Sequence, residues 1–255
     1  VRRRQRRAHL DGWERIVERR VQHWALLDDD ERARLGELIE WLLRTKHFEA
    51  SRGFALTQEI VISVAAQAAL LVLGLDRDAY RDVRAIVIHP RTITRRGPRA
   101  TTMRGVIADG PLRVLGHAND RRGPVVIAWD AARNDARHPE RGHNVVIHEF
   151  AHKIDVASGG FDGTPSLPSR AARAEWIDVC TREYRRLRRR REPDPVLRRY
   201  AGTNPAEFFA VATEAFFDRP GPLRDEKPQL YAVLQRFYRQ DPAGRADAAR
   251  PLEVS

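Results

Sequence analysis

The chain of 255 residues is long enough for one large domain or two small ones, and with 42% hydrophobic residues it can bury a core, which excludes a disordered chain. Its net charge of +11 invites a nucleic-acid partner, but all of its 46 basic residues except Lys46, Lys153 and Lys227 are arginine, a bias that genome base composition explains as well as selection for phosphate contacts does. One cysteine, Cys180, excludes an intrachain disulfide, fits a reducing compartment, and leaves any metal site to histidines and carboxylates.

The N-terminal stretch VRRRQRRAHLDGWERIV is basic but is followed by no apolar core of a secretory signal, so a cytoplasmic location is expected. Trp13, Ile16, Val17, Trp24, Leu35, Leu38, Ile39, Trp41, Leu42 and Leu43 recur with helical spacing, and the acidic run at Asp28 supplies a cap. Residues 1–50 therefore read as a helical region packed on the core of the protein. The apolar run Ile60 to Leu75 is interrupted by Ser63 and Gln67 and falls short of the roughly 20 residues needed to span a bilayer. It reads as a core helix.

The pattern then changes. Arg84 to Pro90, Arg104 to Gly110 and Gly123 to Asp130 are short β-branched runs bounded by Gly and Pro, and they predict a small sheet. From Gly142 helix returns, stopping at Ser158 to Gly160, and another helix starts near Arg170 and runs into the arginines at 185 to 191. Asn204 and Pro205 open the next helix, to Phe217, before a Pro-Gly-Pro break at Pro220; Gln229 to Gln240 form the last. The segments before Leu10 and after Gln240 read as poorly ordered tails, the second covering 241–255.

The stretch VVIHEFAHKID, Val145 to Asp155, carries the chemistry. Four residues apart on a helix, His148 and His152 share a face one turn apart and can present ring nitrogens to one ion, which suits zinc. Glu149 sits where it can reach a water on that ion without ligating it, as a general base must. The bland alternative is a pair of histidines at the core edge with Glu149 in solvent.

A catalytic zinc takes three protein ligands, so a third must come from elsewhere. The other histidines lie at positions 9, 23, 47, 89, 117, 138 and 143 in no ligand context, and His143 is too near the helix start to join the pair. Glu207 and Glu214 are better candidates, because carboxylates among apolar residues need partners. Glu207 has a competing role: three residues after Asn204, it can close a capping box. For Glu214, a place behind the ligands or on the surface is the simpler reading. Asp155 lies close to the face of the two histidines and can accept an N–H from a ligand imidazole or face solvent near the helix end.

HEFAHKID followed by YAGTNPAEFFAVATEAFF (Tyr200 to Phe217) resembles the Mlc titration factor A family of bacterial zinc peptidases, and the same blocks resemble the catalytic domain of anthrax lethal factor. The likeness to the first family also covers GWERIVERRVQHWALLDDDERARL, VAAQAALLVLGLD, RGPVVIAWD and RFYRQDP. It implies a mainly helical α+β fold with a zincin-like, gluzincin-type core over residues 51–240 and one Zn2+ held by His148, His152 and Glu207. Glu149 would be the base, and Tyr200 matches a tyrosine that assists the transition state. The implied activity is hydrolysis of peptides or protein targets, aminopeptidase-like action among the possibilities. The strand from Val125 to Trp129 offers an edge on which an extended peptide can lie.

Two other functions compete. The resemblance also implies sequestration of a transcriptional repressor, so a zinc-containing regulatory protein is the alternative. Six arginines between Arg185 and Arg191 would surround a helix axis without interleaved aromatics, which argues for a solvated or acid-binding helix over a nucleic-acid interface.

Overall fold

The computed structural model describes residues 12–51, 53–92 and 123–249. After helix α1 (Trp13–Arg20) and a short 3-10 turn, α2 (Asp29–Thr45) opens on a capping box. Asp28 accepts from the Glu31 amide at 2.8 Å, and Glu31 accepts from the Asp28 amide at 3.3 Å. Leu35, Leu38, Ile39 and Leu42 then line one buried stripe, laid against α3 (Gln58–Leu71). α3 is buried on almost every side from Ile60 onward and is the centre of the core. In its interior Gln67 Nε2 donates to the Ser63 backbone carbonyl at 3.1 Å, while Ser63 Oγ and Gln67 Oε1 are buried without a hydrogen bond among the described residues. Its C-terminal end is closed by Gln240, whose Nε2 donates to the Leu70 carbonyl at 2.9 Å.

The sheet is small and parallel, in the order β1 (His47–Ala50), β2 (Ala85–His89), β3 (Val125–Ala128). His47 pairs with Ala85, and Ile86 with Val125. Ile86, Ile88, Val125 and Ile127 point inward, as the alternation of a half-buried strand requires. β3 leads directly into α4 (Trp129–Asp135), then come α5 (Val145–Ala157), α6 (Arg170–Arg189), α7 (Pro205–Asp218), α8 (Pro220–Glu226), α9 (Pro228–Tyr238) and α10 (Pro242–Ala248). The mainly helical α+β class expected from the sequence is the class observed. No helix among the described residues is long and apolar enough to cross a membrane.

Two expectations are corrected and one is extended. The first fifty residues are not helical throughout, because His47–Ala50 form β1. This strand exists by pairing with β2, a partner distant in sequence, and its four residues, although they alternate polar and apolar, are too short a run to mark a strand by themselves. The break expected at Pro220 is present, since α7 ends at Asp218, but Pro220 also opens a further helix, α8, where its missing N–H costs nothing. Nor is the segment after Gln240 an unstructured tail throughout. Asp241 caps α10 by accepting from the Gly244 amide at 3.0 Å, Ala243 is fully buried, and Arg245 pairs with Glu31. The expected strand from Arg104 to Gly110 lies outside the described residues.

Candidate metal centre

Two capped helices bring the chemistry together. Asn144 caps α5, its Oδ1 accepting from the Val146 and Ile147 amides at 3.2 and 3.1 Å. Asn204 caps α7, accepting from the Glu207 amide at 2.9 Å, with Pro205 in the first turn. Both helices are almost wholly buried and pack against each other. Since Asn204 uses the Glu207 backbone, the Glu207 side chain is free to cross to α5, and it does so.

His148 Nε2 lies 3.1 Å from Glu207 Oε2 and 3.2 Å from His152 Nε2, and His152 Nε2 lies 3.5 Å from Glu207 Oε2. Three ligands at about 2.05 Å from a tetrahedral zinc would stand about 3.3 Å apart. The triangle has that size. Glu207 Oε2 is buried and accepts no well-angled hydrogen bond among the described residues, and the three ligand atoms lie close enough together to hold one ion. Two imidazoles and one carboxylate form a donor set suited to a divalent transition metal.

The charge balance leads to the same place. Burial works against charge on His148, but Glu214 and Glu207 outweigh it and push its pKa up to about 9. Glu207 is opposed by burial too, yet His148 and His152 hold its carboxyl well below the usual range. Two carboxylates on one imidazole pair demand positive charge, which a divalent cation supplies without protons.

Glu214 is fully buried directly behind His148, not on the surface. Its Oε1 accepts from His148 Nδ1 at 2.7 Å and from Arg198 Nη2 at 2.5 Å, and its Oε2 accepts from the Asn144 amide at 2.6 Å. Burial opposes its ionisation, but His148, Arg198 and His143 overcome that and hold it at about 2. A carboxylate can only accept here, so a neutral His148 carries its proton on Nδ1 and leaves the Nε2 lone pair available to an ion.

Asp155 is placed differently from either expectation. It is fully buried, and its Oδ2 accepts from the Gly163 amide at 2.9 Å. Its Oδ1 and the His152 Nδ1 are both buried without a hydrogen bond among the described residues, so the anticipated bond between them is not formed. Burial pushes Asp155 up to about 6. The carboxylate secures the loop after α5, which carries Phe161 to within 5.1 Å of the His152 ring.

Glu149 is half-buried beside the pair. Tyr200, on a 3-10 turn from Arg199 to Gly202, is 40% exposed with its ring 6.0 Å from that of His148. Outside the cluster, His143 Nδ1 is 3.0 Å from Asp135 Oδ2 and His23 Nε2 is 3.0 Å from Asp218 Oδ1. The arginine run ends α6 with exposed side chains, while its one apolar member, Leu187, is buried. Arg198, Asn144 and Phe161 are the neighbours that sequence reasoning missed. Asn144 had a readable signal, a capping residue before the histidine helix; Arg198 had none, being one arginine among many.

Comparison with known proteins agrees with this geometry. The chain is 34% identical over 233 residues to the Synechocystis protein slr2042, covering 90% of this chain and 84% of that one. It is 31% identical over 226 residues to Mlc titration factor A of Serratia proteamaculans, covering 86% and 84% of the two chains. Against Mlc titration factor A of Pectobacterium atrosepticum it is 29% identical over 255 residues, covering 92% and 88%. The profile of the glucose-regulated metallo-peptidase M90 family matches residues 1–239. A converging His-His-Glu set inside a match of that extent leads to one conclusion: the chain belongs to the M90 family of metallopeptidase-like proteins.

Proposed function

We propose that the protein is a zinc-dependent peptidase whose ion is held by His148, His152 and Glu207. The observation that carries this reading is the triangle of ligand atoms, 3.1 to 3.5 Å on a side, backed by a carboxylate on His148 Nδ1. Zinc in that position would lower the pKa of a coordinated water to about 7 and polarise the scissile carbonyl. Glu149, adjacent in sequence to His148 and half-buried, takes the proton from the attacking water and returns it to the leaving amine. The Tyr200 hydroxyl donates to the developing oxyanion, a contribution worth about tenfold to a thousandfold in rate. An extended peptide lies along β3, whose helix-bound neighbour is α5. A single cysteine fits action in a reducing compartment such as the cytoplasm.

A second function is supported by the names of the relatives, which describe titration of Mlc. Binding to a transcriptional repressor is compatible with peptidase action, the metal centre then serving a partner-regulated enzyme.

The test compares zinc-loaded wild type, Glu149→Gln and Tyr200→Phe at equal metal content on aminoacyl anilides and internally quenched peptides. Turnover confined to chains that retain Glu149, and slowed by Tyr200→Phe, is the expected result. Equal turnover by Glu149→Gln would refute the general-base role, and inactivity of all three with zinc bound would shift the weight to the repressor-binding function.

A further inference from the structure

The Arg198 side chain occupies a position that neither the ligand set nor the proposed chemistry uses. It is the residue immediately before the 3-10 turn that carries Tyr200, so its backbone is the entry to that turn. Its guanidinium reaches away from the turn to the buried carboxylate of Glu214, 2.5 Å from Oε1, the same oxygen that accepts from His148 Nδ1. Arg198 Nε is itself buried and has no hydrogen-bond partner among the described residues, so the short, charge-assisted contact to Glu214 is what holds the head group there. The other Glu214 oxygen takes the amide at the cap of α5. One carboxylate thus joins α7, the cap of α5, the His148 ring and, through Arg198, the Tyr200 turn.

We infer that Arg198 is a positioning residue that sets the His148 ring and the Tyr200 turn against each other through Glu214. Two consequences come from elementary chemistry. A carboxylate shared between a guanidinium and an imidazole has a defined direction, so the ring plane of His148 and the lone pair it presents are fixed together. The planar fork of arginine fixes direction as well as charge, which a lysine ammonium at the same place does not. Without the guanidinium, Glu214 keeps His148 and the Asn144 amide but is no longer tied to the segment bearing Tyr200. The damage should then appear both at the metal and in turnover.

This inference rests on the metallopeptidase reading, and its test separates the two. Wild type, Arg198→Met and Arg198→Lys are each loaded with cobalt, and three quantities are measured: affinity by chelator competition, the visible absorption of the bound cobalt, and kcat and KM on a cleaved peptide. Arg198→Met should bind one ion about ten- to a hundredfold more weakly, with a shifted cobalt spectrum. Its kcat should fall more than its KM rises, and Arg198→Lys should recover affinity more than kcat. Arg198→Met with wild-type affinity, spectrum and kcat would overturn the inference. If Arg198→Met does not fold, Arg198→Lys decides: a shifted spectrum with lowered kcat supports the role, and wild-type values for both reject it. Wild type that binds cobalt but cleaves nothing fails the peptidase reading alone, and the cobalt measurements then decide the role of Arg198. Wild type that takes up no metal rejects both.

Discussion

Gly163 stands so close to Pro205 that a Cβ added to it would meet the Pro205 carbonyl oxygen at 2.3 Å. Its backbone lies in the left-handed region at φ 73°. Its amide donates to Asp155 and its carbonyl accepts from Trp176 Nε1 at 2.9 Å. This one glycine therefore ties the loop after α5 to α5 and α6 and lets it pass tightly against the first residue of α7, two residues before Glu207.

Gly163→Ala should disturb the metal centre without touching it. The left-handed backbone costs an alanine about 1 to 2 kcal/mol, and the collision with Pro205 adds on the order of 1 to 3 kcal/mol. Urea denaturation should record a loss in that combined range, and chelator competition should show weaker metal binding because the start of α7 has moved. Unchanged metal affinity in a destabilised variant would mean that α7 is held by its other contacts.

Glu214→Ala removes the partner of His148 Nδ1, of Arg198 and of the Asn144 amide together. Leaving these groups unpaired should cost on the order of 3 kcal/mol of stability. Metal affinity should fall about ten- to a hundredfold, as it does when the partner behind a ligand histidine is lost. A variant with wild-type metal affinity would show that His148 needs no such support.

Glu207→Ala separates ligand from cap. Asn204 bonds the backbone amide of residue 207, which alanine keeps, so α7 should remain capped and the metal-free stability should change by no more than about 1 kcal/mol. The tight metal equivalent should be lost. Its retention, measured by metal analysis after gel filtration, would contradict the ligand assignment.

Asp218 offers a pH test away from the ligands. Its side chain is fully buried beside His23, and burial pushes its pKa up to about 6, against the pull of His23 and with the help of Glu214 and Asp135. A raised carboxyl pKa means that the folded chain binds the proton more tightly than the unfolded chain. The stability from this group is therefore present below about 3.8 and lost as pH rises through about 6. The stability of wild type relative to Asp218→Asn should drop by on the order of 3 kcal/mol across that window. Parallel pH profiles of the two chains in urea denaturation would show that Asp218 does not titrate there.

Much of the site was legible because its rules are local. The spacing of His148, Glu149 and His152 is a property of one helix, as is the capping of α7 by Asn204 with Pro205 behind it. What that capping did not disclose was the direction of the Glu207 side chain, since a capping box and a metal ligand share the same sequence position. The structure separates them: the amide serves the cap and the carboxylate faces the histidines.

Asp155 and Arg198 mark the limit from the other side. Asp155 sits on the right helical face for His152, but the Gly163 amide, supplied by a loop, takes its carboxylate instead. Arg198 is indistinguishable in sequence from its many neighbours and gains its place only because Glu214 is buried within reach. The same holds for β1 and α10, stabilised by β2 and by Glu31 across long stretches of chain. By itself the sequence determined the longer helices, the caps at Asp28 and Asn204, the histidine pair and its adjacent glutamate, because helical periodicity and capping act over a few residues. Only the tertiary structure decided which carboxylates meet those histidines and what holds each one there, because such pairings depend on the packing of α5 against α7 and on burial, which no local spacing records.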